Sequence, residues 1–253
     1  MPHIAFNTAN LVARTTGYRF QLSNWGEQHA RTVAATDARE FNAICADIAG
    51  AGFSSIELWQ AHADPKNFTP AKARIWREIM DSHDLQPIAY AGGLSRETAE
   101  ICSWLSIPLI AGGGHPSDLD EARALCREFG VRYGFENHPE RSGDAMLAHI
   151  GGKSDEFLGV AVDTGWLGTQ GLDAPQILRE LGTAVIHVHL KDVRAAGGHE
   201  TVPLGEGVVG IEGVLAALKE IGYSGDYSWE DEPEERDPFA IAPQMRAWIA
   251  ARV

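Results

Sequence analysis

A chain of 253 residues that is 44% hydrophobic can bury a large core, and an α/β barrel routinely uses this length as one domain. Its 35 acidic against 21 basic side chains leave a net charge of -14, which repels a phosphate backbone and argues against nucleic acid as a partner. Cys45, Cys102 and Cys126 are odd in number and lack metal-motif spacing, no window approaches a membrane-spanning apolar run, and MPHIAFNTAN does not read as a signal peptide. A reducing, cytoplasmic setting without disulfides or membrane contact is the expectation.

Short β-rich runs ending in Gly, Asn, Asp or Glu alternate with amphipathic stretches of helical period, the pattern of repeated βα units. A strand at 3–7 is followed by a long connection, 8–36, carrying Arg14, Tyr18, Arg19, Phe20, Trp25 and His29. That connection reads either as a cover over a polar ligand or as an ordered surface loop. Helices at 37–50, 69–83, 96–105 and 118–129 then alternate with strands at 54–59, 86–91, 107–112 and 131–136, and Asp37, Thr69 and Asp118 are plausible caps. Helices at 142–150, 173–181 and 211–221 precede strands at 158–163, 185–190 and 226–230, and a last helix spans 238–252. A second long connection covers 191–210. Eight strands with eight helices and no linker predict a single-domain (β/α)8 TIM barrel over residues 1–253; the competing architecture is an open doubly wound sheet.

In a barrel, side chains alternate between the interior and the helix layer, and the last inward residue of each strand reaches the C-terminal mouth, where such barrels carry their chemistry. On VRYGFE the inward set is Arg132, Gly134 and Glu136; LGVAVD turns in Ala161 and Asp163, VIHVHL His187 and His189, DYSWE Ser228 and Glu230. Four strands therefore end in Glu136, Asp163, His189 and Glu230. Three carboxylates converging without a cation repel one another and raise their pKa values, and a divalent ion removes that penalty. Oxygen-rich coordination with one imidazole favours Mn²⁺, Mg²⁺ or Co²⁺, with Zn²⁺ as an alternative. Taken singly, each residue also reads as a cap or salt-bridge partner. His187 is either a hydrogen-bond donor to a ligand residue or a core histidine. Glu57, inward on SSIELW below Trp59, is either a ligand contact or an ion-pair partner inside the barrel, for example to Arg132.

The segments GFENHP (134–139), VAVDTGW (160–166), HVHLKD (187–192) followed by PLGEG (203–207), and SWEDEP (228–233) resemble the xylose isomerase-like barrels. That family contains sugar phosphate isomerases and epimerases, ketose 3-epimerases, inosose dehydratases, barrel subunits of C-glycoside deglycosylases, and endonuclease IV. The resemblance covers nearly the whole chain and implies one metal ion on Glu136, Asp163, His189 and Glu230. One departure stands out. Trp166 occupies the position three residues after the sixth-strand Asp where epimerases and endonuclease IV commonly carry a His, which argues against a three-metal nuclease site. Trp166 then stacks on a sugar face or packs in the core. His138 is similar to a His that the deglycosylase subunits use as a base. His62, Lys191 and His199 are further candidates for substrate contact from flanking loops. Glu206 in PLGEG argues against a phosphate cradle at that turn.

The resemblance and the residues together imply a metal-dependent isomerase or epimerase of a sugar or oxo-sugar. Proton transfer would pass through an enediolate, with Glu136 and Glu230 as acid and base and His138 as helper. Alternatives on the same site are a dehydratase or a lyase cleaving a 3-oxo-glycoside by β-elimination. From other classes come a sugar-binding or partner subunit that works with a small second chain, a homo-oligomer, and a repair nuclease, the last opposed by the charge.

Overall fold

The computed structural model describes residues 2–19, 21–114 and 116–253. Its strands are β1 (Ile4–Asn7), β2 (Ser55–Trp59), β3 (Gln86–Ala91), β4 (Leu109–Gly112), β5 (Arg132–Glu136), β6 (Leu158–Asp163), β7 (Val185–Leu190), a short pair β8 (Asp192–Val193) and β9 (Thr201–Val202), and β10 (Tyr227–Trp229). All but β8 and β9 are parallel and close into an eight-stranded barrel. The circuit runs β1-β10-β7-β6-β5-β4-β3-β2, so the first and last barrel strands pair and no edge is left open. The open-sheet alternative is thereby removed.

The outer layer comprises α1 (Trp25–Ala35), α2 (Ala38–Gly50), α3 (Pro70–Ser82), α4 (Arg96–Leu105), α5 (Leu119–Phe129), α6 (Gly143–Ala148), α7 (Thr164–Thr169), α8 (Ala174–Leu181), α9 (Ile211–Glu220) and α10 (Ala242–Ala250). Each start that the sequence marks is capped as expected. Asp37 accepts from Glu40 N, Thr69 from Lys72 N, and Asp118 from both Asp120 N and Glu121 N, satisfying amides that have no partner within the helix.

Alternation sorts the strands into two faces. Tyr133 and Phe135 of β5, Val160 and Val162 of β6, and Val188 and Leu190 of β7 join the main apolar core under the helices. Burying such side chains contributes roughly 1.5–3 kcal/mol each, an upper range because the unfolded chain is partly collapsed. Their neighbours Glu136, Asp163, His187 and His189 therefore face the interior. Arg132 departs from this pattern: it is exposed, and its Nε donates to the carbonyl of Glu156 at 3.1 Å.

Both long connections carry structure that residue periodicity does not announce. The first folds into 3-10 turns followed by α1; Phe20 lies outside the described residues. The second forms the antiparallel hairpin of β8 and β9. All three cysteines are free and buried, and no helix among the described residues is long and apolar enough to cross a membrane.

Candidate metal and substrate site at the barrel mouth

The C-terminal ends of the strands open on a cavity of about 400 Å³, a volume suited to a small ligand. Its floor includes Glu136, His189, Lys191 and Glu230, and its walls include Trp25, Trp59, His138, Trp166 and Glu232. The glycines at the ends of β3 and β4 let the wall close up: a Cβ at Gly113 would lie 2.8 Å from the His138 ring, so that imidazole packs directly on the backbone.

Glu136, His189 and Glu230 come together. His189 Nδ1 lies 2.8 Å from Glu136 Oε1 and 2.9 Å from Glu230 Oε2, and ligand atoms of the three residues fall within 4.8 Å of one another. Asp163, the fourth expected ligand, stands beside them with a divided role. Its Oδ1 accepts from Gly165 N at 2.7 Å and so caps α7, while Oδ2 is fully buried and has no hydrogen-bond partner among the described residues. An unsatisfied buried carboxylate oxygen is costly, and a cation removes the cost. Burial, opposed by Lys191 and reinforced by Glu230 and Glu136, pushes the Asp163 carboxyl up to about 6. With oxygen donors from three carboxylates and one imidazole nitrogen, the residues present fit a divalent cation.

Glu230 is lowered rather than raised, and Lys191 together with His189 is the reason. The Lys191 ammonium, buried, lies 2.8 Å from Glu230 Oε1, 3.6 Å from Asp163 Oδ2, and in contact with Glu232. Burial works against ionisation of Glu230, but Lys191 and His189 outweigh it and hold the carboxyl below the usual carboxylate range. Burial likewise disfavours charge on Lys191 and on His189, yet the surrounding carboxylates raise both well above their ordinary values. Lys191 thus lines the cavity, as its place after β7 predicts, but is already engaged by three acids.

Glu57 does not pair with Arg132. It is fully buried beneath the cavity, does not line it, and bridges two imidazoles: Oε1 lies 2.9 Å from His189 Nε2 and Oε2 2.9 Å from His187 Nε2. Burial opposes its ionisation, but His189 and His187 outweigh it and keep it below the usual range. Alternation turns both Glu57 and Arg132 inward without fixing their depth, and Arg132, at the start of β5, leaves the interior for solvent. His187 accordingly contacts a carboxylate that holds His189, and Ser228 Oγ approaches the same nitrogen at 3.3 Å.

His138 lines the cavity with Nε2 3.9 Å from Glu136 Oε2. Its loop is pinned, since Glu140 accepts from His138 N at 2.8 Å and the same carboxylate reaches His149 Nε2 at 2.9 Å. Trp166 is half-buried on the wall, its ring 5.1 Å from His138 and 4.9 Å from His199. His199 is exposed and stands behind Trp166, outside the cavity lining. His62 is buried against Thr8 Oγ1 at 3.1 Å and does not line the cavity; its carbonyl accepts from the Trp76 indole. Of the first connection, Trp25 packs on Trp59 at 5.3 Å and reaches the cavity, whereas Arg14 turns outward to Glu40 and Asp47.

Residues without a signal in the sequence complete the mouth. Asn7 donates to Glu230 Oε2 at 2.9 Å, and buried Asn137 clamps the Asp163 backbone from both sides, accepting from its N–H at 2.9 Å and donating to its C=O at 3.1 Å. Glu232 holds a left-handed backbone at φ 38°, strain of the kind stored where a side chain must be aimed. The PLGEG turn carries its own anion: Asp192 accepts from Gly205 N at 2.9 Å, Gly207 N at 3.0 Å and Val209 N at 3.1 Å.

Among known proteins, a family model described as the xylose isomerase-like TIM barrel matches residues 45–252. An uncharacterized protein of Methanocaldococcus jannaschii, MJ1311, is 32% identical over 124 residues, 46% of this chain and 42% of its own length. The L-ribulose-5-phosphate 3-epimerase UlaE of Salmonella paratyphi C is 39% identical over 72 residues, 27% of this chain and 24% of its own length. The chain therefore matches less than half the length of either relative. A solved D-allulose 3-epimerase from Methylomonas sp. superposes with a TM-score of 0.74 at 15% identity over 100% of this chain and 98% of that one, a likeness of fold alone. The family match takes in every barrel strand from β2 to β10 together with every candidate ligand, and the chain belongs to the xylose isomerase-like TIM barrel family.

Proposed function

We propose that this chain is a divalent-metal-dependent isomerase or epimerase acting on an unphosphorylated sugar or oxo-sugar. The observation that carries the reading is the convergence of Glu136, His189 and Glu230 beside Asp163 Oδ2, a buried oxygen without a hydrogen-bond donor among the described residues, on the floor of a cavity walled by tryptophans. The family and the epimerase among the partial relatives support the same reaction class. Glu136, Asp163, His189 and Glu230 hold the ion, and Mn²⁺, Mg²⁺ or Co²⁺ suits that donor set. Such an ion, when bound, supplies positive charge to a carbonyl oxygen and its neighbouring hydroxyl.

The chain's own groups move the proton. Glu230, kept ionised by Lys191 and His189, takes it from the carbon beside the carbonyl, and the C–H electrons pass toward the carbonyl oxygen to give an enediolate. Glu136, entering the cycle as the carboxylic acid, returns its proton to the same carbon from the other face for epimerisation, or to the former carbonyl carbon for isomerisation, and proton exchange with water resets the two carboxyls. His138, next to Glu136 in the cavity, exchanges the hydroxyl proton. Trp25, Trp59 and Trp166 offer apolar faces to the C–H groups of a sugar and exclude water.

Two features support an unphosphorylated substrate. The amides of the PLGEG turn, which would otherwise receive an anion, are spent on Asp192. Among the described residues lining the cavity, Lys191 is the one lysine or arginine, and three carboxylates already surround it.

The experiment is incubation of Mn²⁺-loaded protein in D₂O with ketoses, inososes and 3-oxo-glycosides, read by NMR. Deuterium entering a carbon next to the carbonyl, with a new stereoisomer or a shifted carbonyl, is the expected result. Loss of water or of the aglycone instead would assign β-elimination to the site, and no exchange by metal-loaded protein across the panel would contradict the reading.

A further inference from the structure

We propose that Glu57 is a positioning residue that fixes the tautomer of His189, turning the Nδ1 lone pair of that imidazole toward the space between Glu136 and Glu230. The proposal rests on the metal reading given above and concerns a residue that is neither a ligand nor in contact with the cavity.

A carboxylate accepts at both oxygens and donates at neither. Glu57 places Oε1 2.9 Å from His189 Nε2 and Oε2 2.9 Å from His187 Nε2, so both Nε2 atoms must carry their hydrogens. Without a cation, Glu136 and Glu230 hold a proton on His189 Nδ1 as well; a divalent ion displaces that proton, and the imidazole, still protonated at Nε2, then presents its lone pair on Nδ1. In His189 that nitrogen is the one facing the acids, 2.8 Å from Glu136 Oε1 and 2.9 Å from Glu230 Oε2. The opposite tautomer would set the Nε2 lone pair against Glu57 in a fully buried site, where an unmet acceptor pair costs most.

Donor and acceptor matching also explains why position 57 is Glu rather than Gln. Two N–H groups face it, and only a carboxylate answers both. An amide would present its NH₂ to one of the two rings and turn that ring over. His187 occupies the second oxygen, with its ring nearly perpendicular to His189 at 88°, so Glu57 is held from both sides rather than free to rotate. An imidazole that ligates through one nitrogen while donating the other N–H to a carboxylate is a general way of setting orientation and basicity, and losing the carboxylate typically costs about 10- to 100-fold in metal affinity.

The test uses the full chain loaded with Zn²⁺, which is diamagnetic, and ¹⁵N-labelled histidine. Long-range ¹H–¹⁵N spectra of the wild type should show His189 protonated at Nε2 and bound through Nδ1. Chelator competition should give Glu57→Met and Glu57→Gln affinities weaker by about 10- to 100-fold, while His187→Gln, which keeps an N–H donor for Oε2, stays within a few-fold of wild type. Ligation through Nε2, wild-type affinity in the Glu57 variants, or an equal loss in His187→Gln would overturn the proposal. The wild-type spectrum decides the matter if the Glu57 variants do not fold. Wild type that takes up no ion contradicts the metal reading itself and removes the proposal with it, so the two failures are told apart.

Discussion

The stem of Lys191 lies across the backbone of Gly165. A Cβ at position 165 would sit 2.6 Å from Lys191 Cγ and Cδ, and only over that gap does the ammonium reach Glu230 Oε1 at 2.8 Å. Gly165→Ala gains about 1 kcal/mol of helix propensity within α7, but it drives the stem out of its groove. Overpacking of this kind typically costs about 1–3 kcal/mol, and the displaced ammonium leaves buried carboxylates uncompensated. Gly165→Ala should therefore destabilise the wild type, whereas in a Lys191→Ala background it should be neutral or slightly stabilising. A double-mutant cycle by urea denaturation reads this coupling, and simple additivity would show that the two residues do not act together.

His138 lines the cavity beside Glu136 without joining the ligand cluster. His138→Asn keeps similar size and some hydrogen bonding while removing the imidazole. Metal content should survive and turnover should fall by about 10² to 10⁴. Loss of the ion in this variant would make His138 a ligand, and near-normal turnover would leave it a wall residue.

His62 gives the fold a defined acid sensitivity. Burial, reinforced by the charges of Arg14, His29 and Lys72, pushes its pKa down to about 3 from an ordinary 6.5. Between these values the unfolded chain binds the proton and the folded chain does not, so unfolding free energy falls as pH drops through that window. The contribution is complete above about 6.5 and amounts to a few kcal/mol at most, since each tenfold difference in proton affinity between the two states is worth about 1.4 kcal/mol. His62→Gln should flatten the stability profile between about pH 6.5 and 4, as followed by urea denaturation. A slope equal to that of the wild type would place this ring in contact with solvent.

How far the site was legible follows from what each residue does in the barrel. Glu136, Asp163, His189 and Glu230 could be placed at the mouth because each lies at, or one residue from, the C-terminal end of a strand whose other face is plainly apolar, as with Tyr133 and Phe135 beside Glu136. The helix α1 could not, because it lacks a side-chain N-cap and its order comes from packing of Trp25 and Val33 on the Trp59 cluster. The helix α7 was hidden by Asp163, which is both the end of β6 and the cap of the helix, and by Gly165 and Gly168, poor helix formers retained for close contact with Lys191, Val193 and Val209. Partner choice was less legible still. Period-two alternation turns Glu57 inward but does not say that it meets His187 and His189 rather than Arg132, since depth within a tilted barrel depends on shear as well as on sequence position. Asn7 and Asn137 carry no sequence signal because asparagine is common at strand ends, and their role emerges only with the groups they clamp.

That a divalent ion sits on Glu136, Asp163, His189 and Glu230 is tested most directly by metal stoichiometry. Chelator-treated wild type and Asp163→Ala are titrated with Mn²⁺, and bound metal is measured by elemental analysis after dialysis. One ion per chain is expected in the wild type and its loss or strong weakening in the variant, because Oδ2 of Asp163 is a buried acceptor that no donor among the described residues satisfies. Wild type that binds no ion, or a variant that keeps full stoichiometry at unchanged affinity, would contradict a metal centre built on these four residues.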